Sequence, residues 1–459
     1  GSEMCIRDRH KINAKFKKGL KIMLTLINDL VWGKPLLILL LGTGLIYTLR
    51  LKFFQIRKFP FIMKKTFFSL FKDKTALKSR DCDSISQFQA VSAALAAAMG
   101  TGNIAGVATA ITLGGPGAIF WMWVSAIAGM ALVYGENYLG TVYRRKKHGR
   151  WYGGPMAYLE NGAGSKRLAC LFAVFCAFAA LGMGNMTQVN SISSALDGCF
   201  GIPPLATGIA AAVIAGIIIS GGIKRIGSAS QALIPFLSIV YIAVSAYAII
   251  CNIENVPGAF SLIFKEAFGI REVGGGISGA VISKSVNAGL RRGVFSNEAG
   301  LGSSAVLHSS ADCNNPGQQG MWAVFEVFAD TIVCCTVTAL VILTTGAADS
   351  GKDGVLLVTE AFGRIAGIGR LSPYFIAAAV AMFAFATIIG WFYCGECAVT
   401  YLFGDSGIPF YKFIFTAFIV VGAVSKLEAV WMVSDIFNGL MAIPNLTGLI
   451  ILRKEVKSV

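Results

Sequence analysis

Long apolar segments alternate with short polar ones along this chain from about residue 35 to its end. A helix that crosses the hydrocarbon core of a bilayer needs about 20 predominantly apolar residues. By that measure the sequence predicts an all-α integral membrane protein with about eleven transmembrane helices. The predicted spans are 35–52, 86–111, 116–144, 168–197, 203–221, 228–251, 276–308, 318–345, 372–400, 409–424 and 429–452.

Two of these spans carry glycines and small polar residues at their middle, where a lipid-facing helix would carry Leu or Ile. The second span reads AAAMGTGNIAG over 96–106, and the seventh reads RRGVFSNEAGLGSS over 291–304. Glycine costs about 1 kcal/mol relative to alanine in a helix interior, so these stretches are expected to unwind. Unwound backbone at membrane depth is tolerated only where protein or a watery cavity satisfies its polar groups.

The two interrupted spans are the first and the sixth when the helices after the first polar loop are divided into two sets of five. Interrupted helices at matching positions of two halves indicate the binding site of a secondary transporter. Close helix packing is the alternative, since Gly102 and Gly106 have small-xxx-small spacing. Packing alone does not explain Thr101, Asn103 or the polar run 296–298, whose side chains need partners in the membrane.

Composition supports a membrane protein and limits its partners. Of 459 residues, 55% are hydrophobic and only 14% are charged, about half the charged share of a soluble protein. The net charge of +16 comes from Lys and Arg collected in polar segments, ten of them in 50–80 and seven in 144–167. That distribution is typical of the positive-inside rule rather than of nucleic-acid binding.

The same charges predict the orientation. With the N-terminus outside, the segments placed inside hold 23 Lys and Arg, and the outer loops after the first span hold six. We therefore expect a multi-pass protein of the cell (plasma or inner) membrane with its N-terminus outside and its C-terminus inside. Residues 1–9 look unlike the rest of the chain and are interpreted as non-native.

Enzyme chemistry finds little support. The G-x-G-x-x-A motif at 100–105 has neither a strand before it nor an acidic residue about 20 positions later, so a dinucleotide site is rejected. The three histidines are dispersed. The single CxxC at 394–397 favours two packed thiols over a metal or redox site. We expect no enzyme activity and no cofactor.

A pair of interrupted helices can bind a zwitterion and a cation together. The N–H end of a half-helix suits a carboxylate, and the free carbonyls at the end of the other half can replace the hydration shell of a small cation. Such a site needs no buried formal charge, and span 86–111 contains no Lys, Arg, Asp or Glu.

Motifs at and between these interruptions resemble those of the alanine-or-glycine:cation symporter family, over nearly the whole chain after about residue 28. The matching stretches are QFQA (87–90), GTGNIAGVA (100–108), GGPGAIFWMW (114–123), YGGPMAY (152–158) and GVFSNEAG (293–300).

The resemblance implies a leucine-transporter-like fold and symport of small neutral amino acids, such as alanine and glycine, with Na⁺ as the coupling ion. A peripheral helix (35–52) would follow an N-terminal segment (1–34) and precede two inverted five-helix repeats (86–251 and 276–452) and a tail (453–459). Proton coupling remains an alternative, as does a passive channel or structural membrane protein.

Site residues follow from the resemblance by position. The backbone of Thr101, Gly102 and Asn103 would meet the substrate carboxylate, and carbonyls of Phe295, Ser296 and Asn297 would face its amine. Asn185, Gln188 and Trp391 would line the pocket. The sodium ligands would be the carbonyls of Ala96, Met99 and Ala384 with the Thr387 hydroxyl, and Ile388 leaves a fifth ligand open.

Each assignment has a plainer alternative. Thr387 could bond a carbonyl one turn back in its own helix. Trp391 could serve packing or interface anchoring, and Asn185 and Gln188 could only bond neighbouring helices. Among the costly intramembrane carboxyls, Glu298 could tie the broken helix together, while Glu326 and Asp330 could pair with Arg291 or Arg292.

Overall fold

The computed structural model of the chain describes residues 19, 23–72, 75–79, 84–147, 150–269, 279–425 and 427–458. These residues are nearly all helical. The helices that correspond to the predicted spans are α1 (Lys34–Arg50), α2 (Gln87–Ala98), α3 (Ala105–Gly114), α4 (Ala118–Val142), α5 (Lys166–Leu181), α6 (Thr187–Phe200), α7 (Pro204–Ser220), α8 (Gly222–Cys251), α9 (Gly279–Asn297), α10 (Ser303–His308), α11 (Pro316–Val327), α12 (Thr336–Thr344), α13 (Ser372–Phe403), α14 (Ile408–Val424) and α15 (Leu427–Leu452).

Shorter elements connect or interrupt these helices. Strands β1 (Arg145–Lys147) and β2 (Arg150–Tyr152) form an antiparallel hairpin after α4. Single π-helical turns join α5 to α6 and α11 to α12, at Gly182–Met186 and Phe328–Cys335. The other short helices and 3₁₀ turns are Phe54–Arg57, Phe59–Lys65, Ser69–Lys72, Thr75–Leu77, Thr101–Asn103, Pro155–Asn161, Ile253–Asn255, Val256–Ala267, Ala347–Ser350, Gly354–Gly363, Gly369–Leu371 and Asp405–Gly407.

The predicted all-α membrane architecture is confirmed, and each predicted span coincides with a helix or a broken helix. Eight helices of the described chain are long and apolar enough to cross a bilayer. The two interrupted spans and α7 do not meet both conditions, so the count of eleven crossings stays a prediction. Helical structure already begins at Met23, upstream of the predicted start at residue 35, and after a turn at residues 32–33 it continues as α1. Residues 1–9 lie outside the described part.

Both predicted interruptions are present as breaks. Helix α2 begins with a capping box, in which Ser86 and Gln89 exchange backbone and side-chain hydrogen bonds of 3.0 and 3.1 Å. The helix ends at Ala98, a 3₁₀ turn follows at Thr101–Asn103, and α3 continues the chain. In the other broken span, 298–302 separates α9 from α10. Glycine-rich sequence therefore ends both helices where the pattern predicts.

Burial is arranged as a bilayer requires. Helix α7 exposes Ile209, Val213 and Ile217, each 50–60% accessible, to the exterior of the molecule. The broken helices and α13 lie in the interior, where Thr387, Trp391 and most of their neighbours are buried. Polar side chains that would be costly in lipid therefore point inward, toward one another.

Small residues allow the closest contacts between helices. An atom at the Cβ position of Gly184, within the Gly182–Met186 turn, would lie 2.3 Å from Cβ of Trp391. A real Cβ atom does not approach another carbon atom this closely. The π-helical turn therefore packs its backbone directly on α13, next to the second break.

We expect Gly184→Ala to destabilise the protein by about 1–3 kcal/mol, the usual cost of overpacking a filled interior. The matched control is Gly216→Ala in α7, where nothing lies within 4 Å of the added methyl group. Thermal unfolding in detergent should show a lowered Tm for Gly184→Ala and an unchanged or slightly raised Tm for Gly216→Ala. Equal Tm values for the two variants would contradict this packing.

Candidate functional site

The two breaks meet at the base of a cavity. At Gly102, an atom in the Cβ position would lie 3.5 Å from Cα of Ser296, so the backbones of the two broken spans are in contact. The cavity has a volume of about 720 Å³. Its lining comprises Thr101, Gly102, Ala105, Gly106, Thr109, Ser191, Ser194, Ala195, Gly198, Cys199, Arg292, Phe295, Asp353, Gly354, Val355, Leu356, Thr359, Pro373 and Ala377.

The helix ends at this base have opposite polarity. Helix α3 begins just after Thr101–Asn103, and the first N–H groups of a helix have no partners within it. Helix α9 ends at Asn297, so the carbonyls of its last turn are likewise left over. Partial positive and partial negative charge are therefore presented side by side. This arrangement suits a small zwitterion.

Asp330 joins the two breaks. It lies in the Phe328–Cys335 turn, is fully buried, and accepts a hydrogen bond of 2.6 Å from Nδ2 of Asn103 and one of 2.8 Å from Oγ of Ser296. Its neighbour Thr331 donates another at 2.7 Å. A single carboxyl group thus holds one residue from each break and leaves their backbones turned toward the cavity.

Glu298 stabilises the second break itself. It adopts a left-handed conformation with φ of 54°, which is uncommon for a residue with a side chain. Its carboxyl group accepts a hydrogen bond from Ser303, across the break, and one of 2.8 Å from Nε1 of Trp391. The hypothesis that Glu298 ties the broken helix together agrees with these contacts.

Thr387 contacts both the broken first span and its own helix. Its hydroxyl lies 2.9 Å from the carbonyl oxygen of Ala96 and 3.2 Å from that of Phe383, one turn back. Both readings of Thr387 therefore have a geometric basis. A hydroxyl carries one proton, so it donates to only one of these carbonyls at a time.

Gln188 approaches the same point from α6. A Cβ atom at Gly100 would lie 2.6 Å from Oγ1 of Thr387 and 3.1 Å from Oε1 of Gln188, so both oxygens contact this glycine. The amide nitrogen of Gln188 donates to the carbonyl of Met183. Its oxygen is buried and has no hydrogen-bond partner among the described residues.

The predicted site residues thus separate into three groups. Thr101, Gly102 and Phe295 line the cavity, while Asn103 and Ser296 lie behind it on Asp330. Asn297 and Trp391 support the second break, the former with a 3.3 Å contact to Thr331. The third group surrounds Gly100 and includes Thr387 and Gln188. Asn185 stands apart, since its amide donates to the carbonyl of Phe415 on α14 at 2.7 Å.

The predicted pairing of Glu326 and Asp330 with Arg291 or Arg292 is wrong. Glu326 accepts a hydrogen bond of 2.8 Å from Ser304 and lies 3.1 Å from Nε2 of His308. Arg291 contacts Asp435 of α15 at 3.3 Å instead. The reason is helical geometry: Asp330 and Glu326 are buried in the interior, whereas Arg291 is partly exposed and faces α15.

Sequence reasoning missed the residues that surround the cavity above the breaks. The guanidinium carbon of Arg292 lies 5.7 Å from the centroid of the Phe295 ring, and Asp353 faces the same space. Glu360, one residue beyond the lining, accepts hydrogen bonds from Lys352 and Arg364, which hold its pKa below the usual value. Nothing in the local sequence links a loop carboxylate to α9, because the fold alone brings them together.

Comparison with known proteins identifies the family. Residues 17–459 match the profile of the Sodium:alanine symporter family. The chain belongs to that family. It is 42% identical to the Sodium/alanine symporter AgcS of Methanococcus maripaludis, with 94% of both chains covered, and 43% identical to an uncharacterized transporter of Haemophilus influenzae, with 95% of this chain and 94% of the other covered. It is 38% identical to the Probable sodium/glutamine symporter GlnT of Bacillus subtilis, covering 94% and 87%.

Solved structures give the fold. The chain superposes on MhsT in complex with L-phenylalanine with a TM-score of 0.54, at 16% identity and with 78% of this chain and 88% of that one covered. A manganese transporter of Eremococcus coleocola gives 0.54 as well, at 15% identity, with coverage of 80% and 77%. The predicted leucine-transporter-like fold is confirmed. Family membership and fold together make this sodium:alanine symporter family member a multi-pass membrane transporter and not an enzyme.

We expect Asp330→Asn to loosen both breaks. The carboxyl group of Asp330 offers two acceptor oxygens, whereas asparagine offers only one. The NH₂ group of the asparagine would therefore face a donor from Asn103, Ser296 or Thr331, and one hydrogen bond would be lost. The expected cost in stability is about 1–3 kcal/mol. The matched control is Asp197→Asn, the same change at an exposed position of α6. Thermal unfolding in detergent should give a lower Tm for Asp330→Asn only. Equal Tm values would show that Asp330 does not organise the breaks.

Proposed function

We propose that this protein is a sodium-coupled symporter of small neutral amino acids, alanine and glycine, that works by alternating access. The observation that carries the proposal is the meeting of two helix breaks of opposite polarity at the base of one cavity. Membership of the Sodium:alanine symporter family and 42% identity to a sodium/alanine symporter support the substrate and the coupling ion.

The substrate would bind at the base of the cavity. Its carboxylate would accept hydrogen bonds from the backbone around Thr101, Gly102 and Asn103, at the start of α3. Its ammonium group would donate to carbonyls at the end of α9, around Phe295, Ser296 and Asn297. The Thr101 hydroxyl supports this pose, since it is buried and without a hydrogen-bond partner among the described residues.

Side-chain size would be limited by aromatic groups. The ring of Phe295 lies in the cavity wall near Gly102 and is covered by Arg292. Trp391 would act from behind the second break, where its bond to Glu298 fixes the indole. Asn185 would then shape the site only indirectly, through its contact with α14.

The sodium ion would bind beside the first break. Carbonyls of Ala96, Met99 and Ala384 and the Thr387 hydroxyl would be its ligands, and the 2.9 Å contact between Thr387 and Ala96 supports their convergence. The buried side chain of Ile388 has no oxygen to offer. We infer that the unpartnered Oε1 of Gln188 completes the set, because it contacts the same Gly100 as Thr387.

The charge distribution supports an N-out, C-in orientation. The loop residues of the cavity, from Asp353 to Thr359, belong to a segment that this orientation places outside. The cavity would then admit substrate from the external solution, and the conformation described here would be the outward-facing one.

Proton coupling is the second candidate, and a buried carboxyl group favours it. Glu298 lies in the second break, where loss or gain of a proton would alter its bonds to Ser303 and Trp391. Glu298 would then carry the coupling proton, and the Thr387 region would have no ion to bind.

Purified protein in proteoliposomes should accumulate labelled alanine above the external concentration only under an inward Na⁺ gradient. Accumulation requires coupling, whereas a channel would only equilibrate the label. Choline in place of Na⁺ should abolish accumulation, and a competition panel with glycine and glutamine should rank the substrates. Equal uptake in choline would exclude sodium coupling, and loss of that uptake in Glu298→Gln would then favour the proton.

Thr387→Val should raise the Na⁺ concentration for half-maximal uptake by about tenfold or more, because one ligand oxygen is replaced by a methyl group of the same shape. Thr387→Ser keeps the hydroxyl and should stay near the wild-type value. Gln188→Met should raise the same constant if Oε1 faces the ion. Unchanged Na⁺ dependence in Thr387→Val and Gln188→Met would place the ion elsewhere.

A further inference from the structure

The bundle is closed at the end opposite the cavity. Thr109 of α3 and Arg292 of α9 line the cavity, so the other ends of the two broken spans, the start of α2 and the end of α10, face the opposite side. There the segments next to them pair as extended backbone. The amide of Ile85 donates to the carbonyl of Ser310 at 3.3 Å, and the amide of Asp312 donates back to Ile85 at 2.8 Å.

Arg144 holds this closed end together. It follows α4, and its Nη1 donates to the carbonyls of Ser309 and Ala311 at 3.1 and 2.5 Å, while Nη2 donates to that of Cys313 at 2.5 Å. The guanidinium carbon lies 4.2 Å from the centroid of the Trp151 ring in β2. Carbonyls beyond a helix C-terminus carry partial negative charge, so one cation satisfies three of them at once.

The hairpin linker is pressed against α10. An atom at the Cβ position of Gly153 would lie 2.4 Å from Oγ of Ser309, and one at Gly154, where φ is 86°, would lie 3.0 Å from Cα of Val306. Only glycine permits this approach. The described residues of this linker, 144–147 and 150–154, which we name the clasp, therefore cover the end of α10 directly.

Movement of α10 is tied to the binding region. All six of its residues are buried, and its first residue, Ser303, bonds Glu298 in the break. A helix held at one end by the break and at the other by the clasp cannot swing without releasing one of them.

We propose that the clasp is the gate on the side opposite the cavity, and that Arg144 is the positioning residue that keeps it shut. Opening a path on this side requires α10 to leave Gly153 and Gly154, and therefore requires the three Arg144 hydrogen bonds to break and re-form in every cycle. The inference rests on alternating access as proposed above. It does not depend on which amino acid or cation is carried.

Cys313 is a built-in reporter of this gate. The residue is only 5% exposed, its own carbonyl is bound by Arg144, and burial raises the pKa of its thiol. Opening of the clasp exposes it to alkylating reagents. Cys251, which is exposed at the end of α8, is the internal reference for reagent reactivity.

The test is the alkylation rate of Cys313 in the purified full chain, followed with N-ethylmaleimide and peptide mass spectrometry and divided by the rate at Cys251. Arg144→Ala should raise this ratio at least about tenfold, since the loss of even one charge-assisted hydrogen bond shifts an equilibrium by that factor. Arg144→Lys should raise it less, because one ammonium group cannot span three carbonyls. Arg145→Ala, which removes an exposed arginine one position further, should leave it unchanged.

An unchanged ratio in monodisperse Arg144→Ala or Arg144→Lys protein would overturn the proposal. A second measurement covers variants that fail to fold: the double variant Ile85→Cys and Ala311→Cys should lose alanine uptake on oxidation and regain it on reduction. Full uptake in the oxidised form would also overturn it. Absence of alanine uptake in the wild type, with a raised Cys313 ratio in Arg144→Ala, would refute the proposed substrate and leave the clasp standing.

Discussion

Backbone polar groups inside a membrane need partners, and this requirement organises the molecule around its two broken helices. Each break releases N–H and C=O groups that lipid cannot satisfy. Side chains from other helices meet part of this cost. Thr338 donates to the carbonyl of Asn103 at the first break, and Asn445 donates to the carbonyl of Gly300 at the second. Asp330 in addition holds the side chain of Asn103. Because these side chains come from α12, from α15 and from the turn between α11 and α12, those helices must pack against the breaks. The arrangement of helices in the interior follows from the need to satisfy these backbone groups.

The helices that supply these partners are themselves irregular. The Phe328–Cys335 turn carries Asp330, and the Gly182–Met186 turn brings Gly184 against Trp391. A π-helical turn shifts the register of a helix, so a side chain can reach a break that a regular helix would miss. The two broken spans are thus packed against helices that contain irregular turns of their own.

The two ends of the bundle are built from different interactions. On the cavity side Arg292, Phe295 and Asp353 line an open space. On the other side Arg144 and the paired segments around Ile85 and Ala311 close the path with backbone-directed bonds. A cycle of alternating access needs this asymmetry to reverse, and bonds to carbonyl groups can re-form without matching any particular side chain.

The sequence alone determined the membrane class, the positions of both breaks and the family, because apolar run length, glycine placement and motif order are local properties of the chain. It also indicated the region of Thr387, which contacts Ala96 although 291 residues separate them. Tertiary structure decided the partners. Asp330 bonds Asn103 and Ser296 rather than an arginine, Gln188 turns toward Gly100, and Arg144 reaches the end of α10. No spacing encodes these choices, since each joins residues from different helices whose relative rotation is set only by packing of the whole bundle.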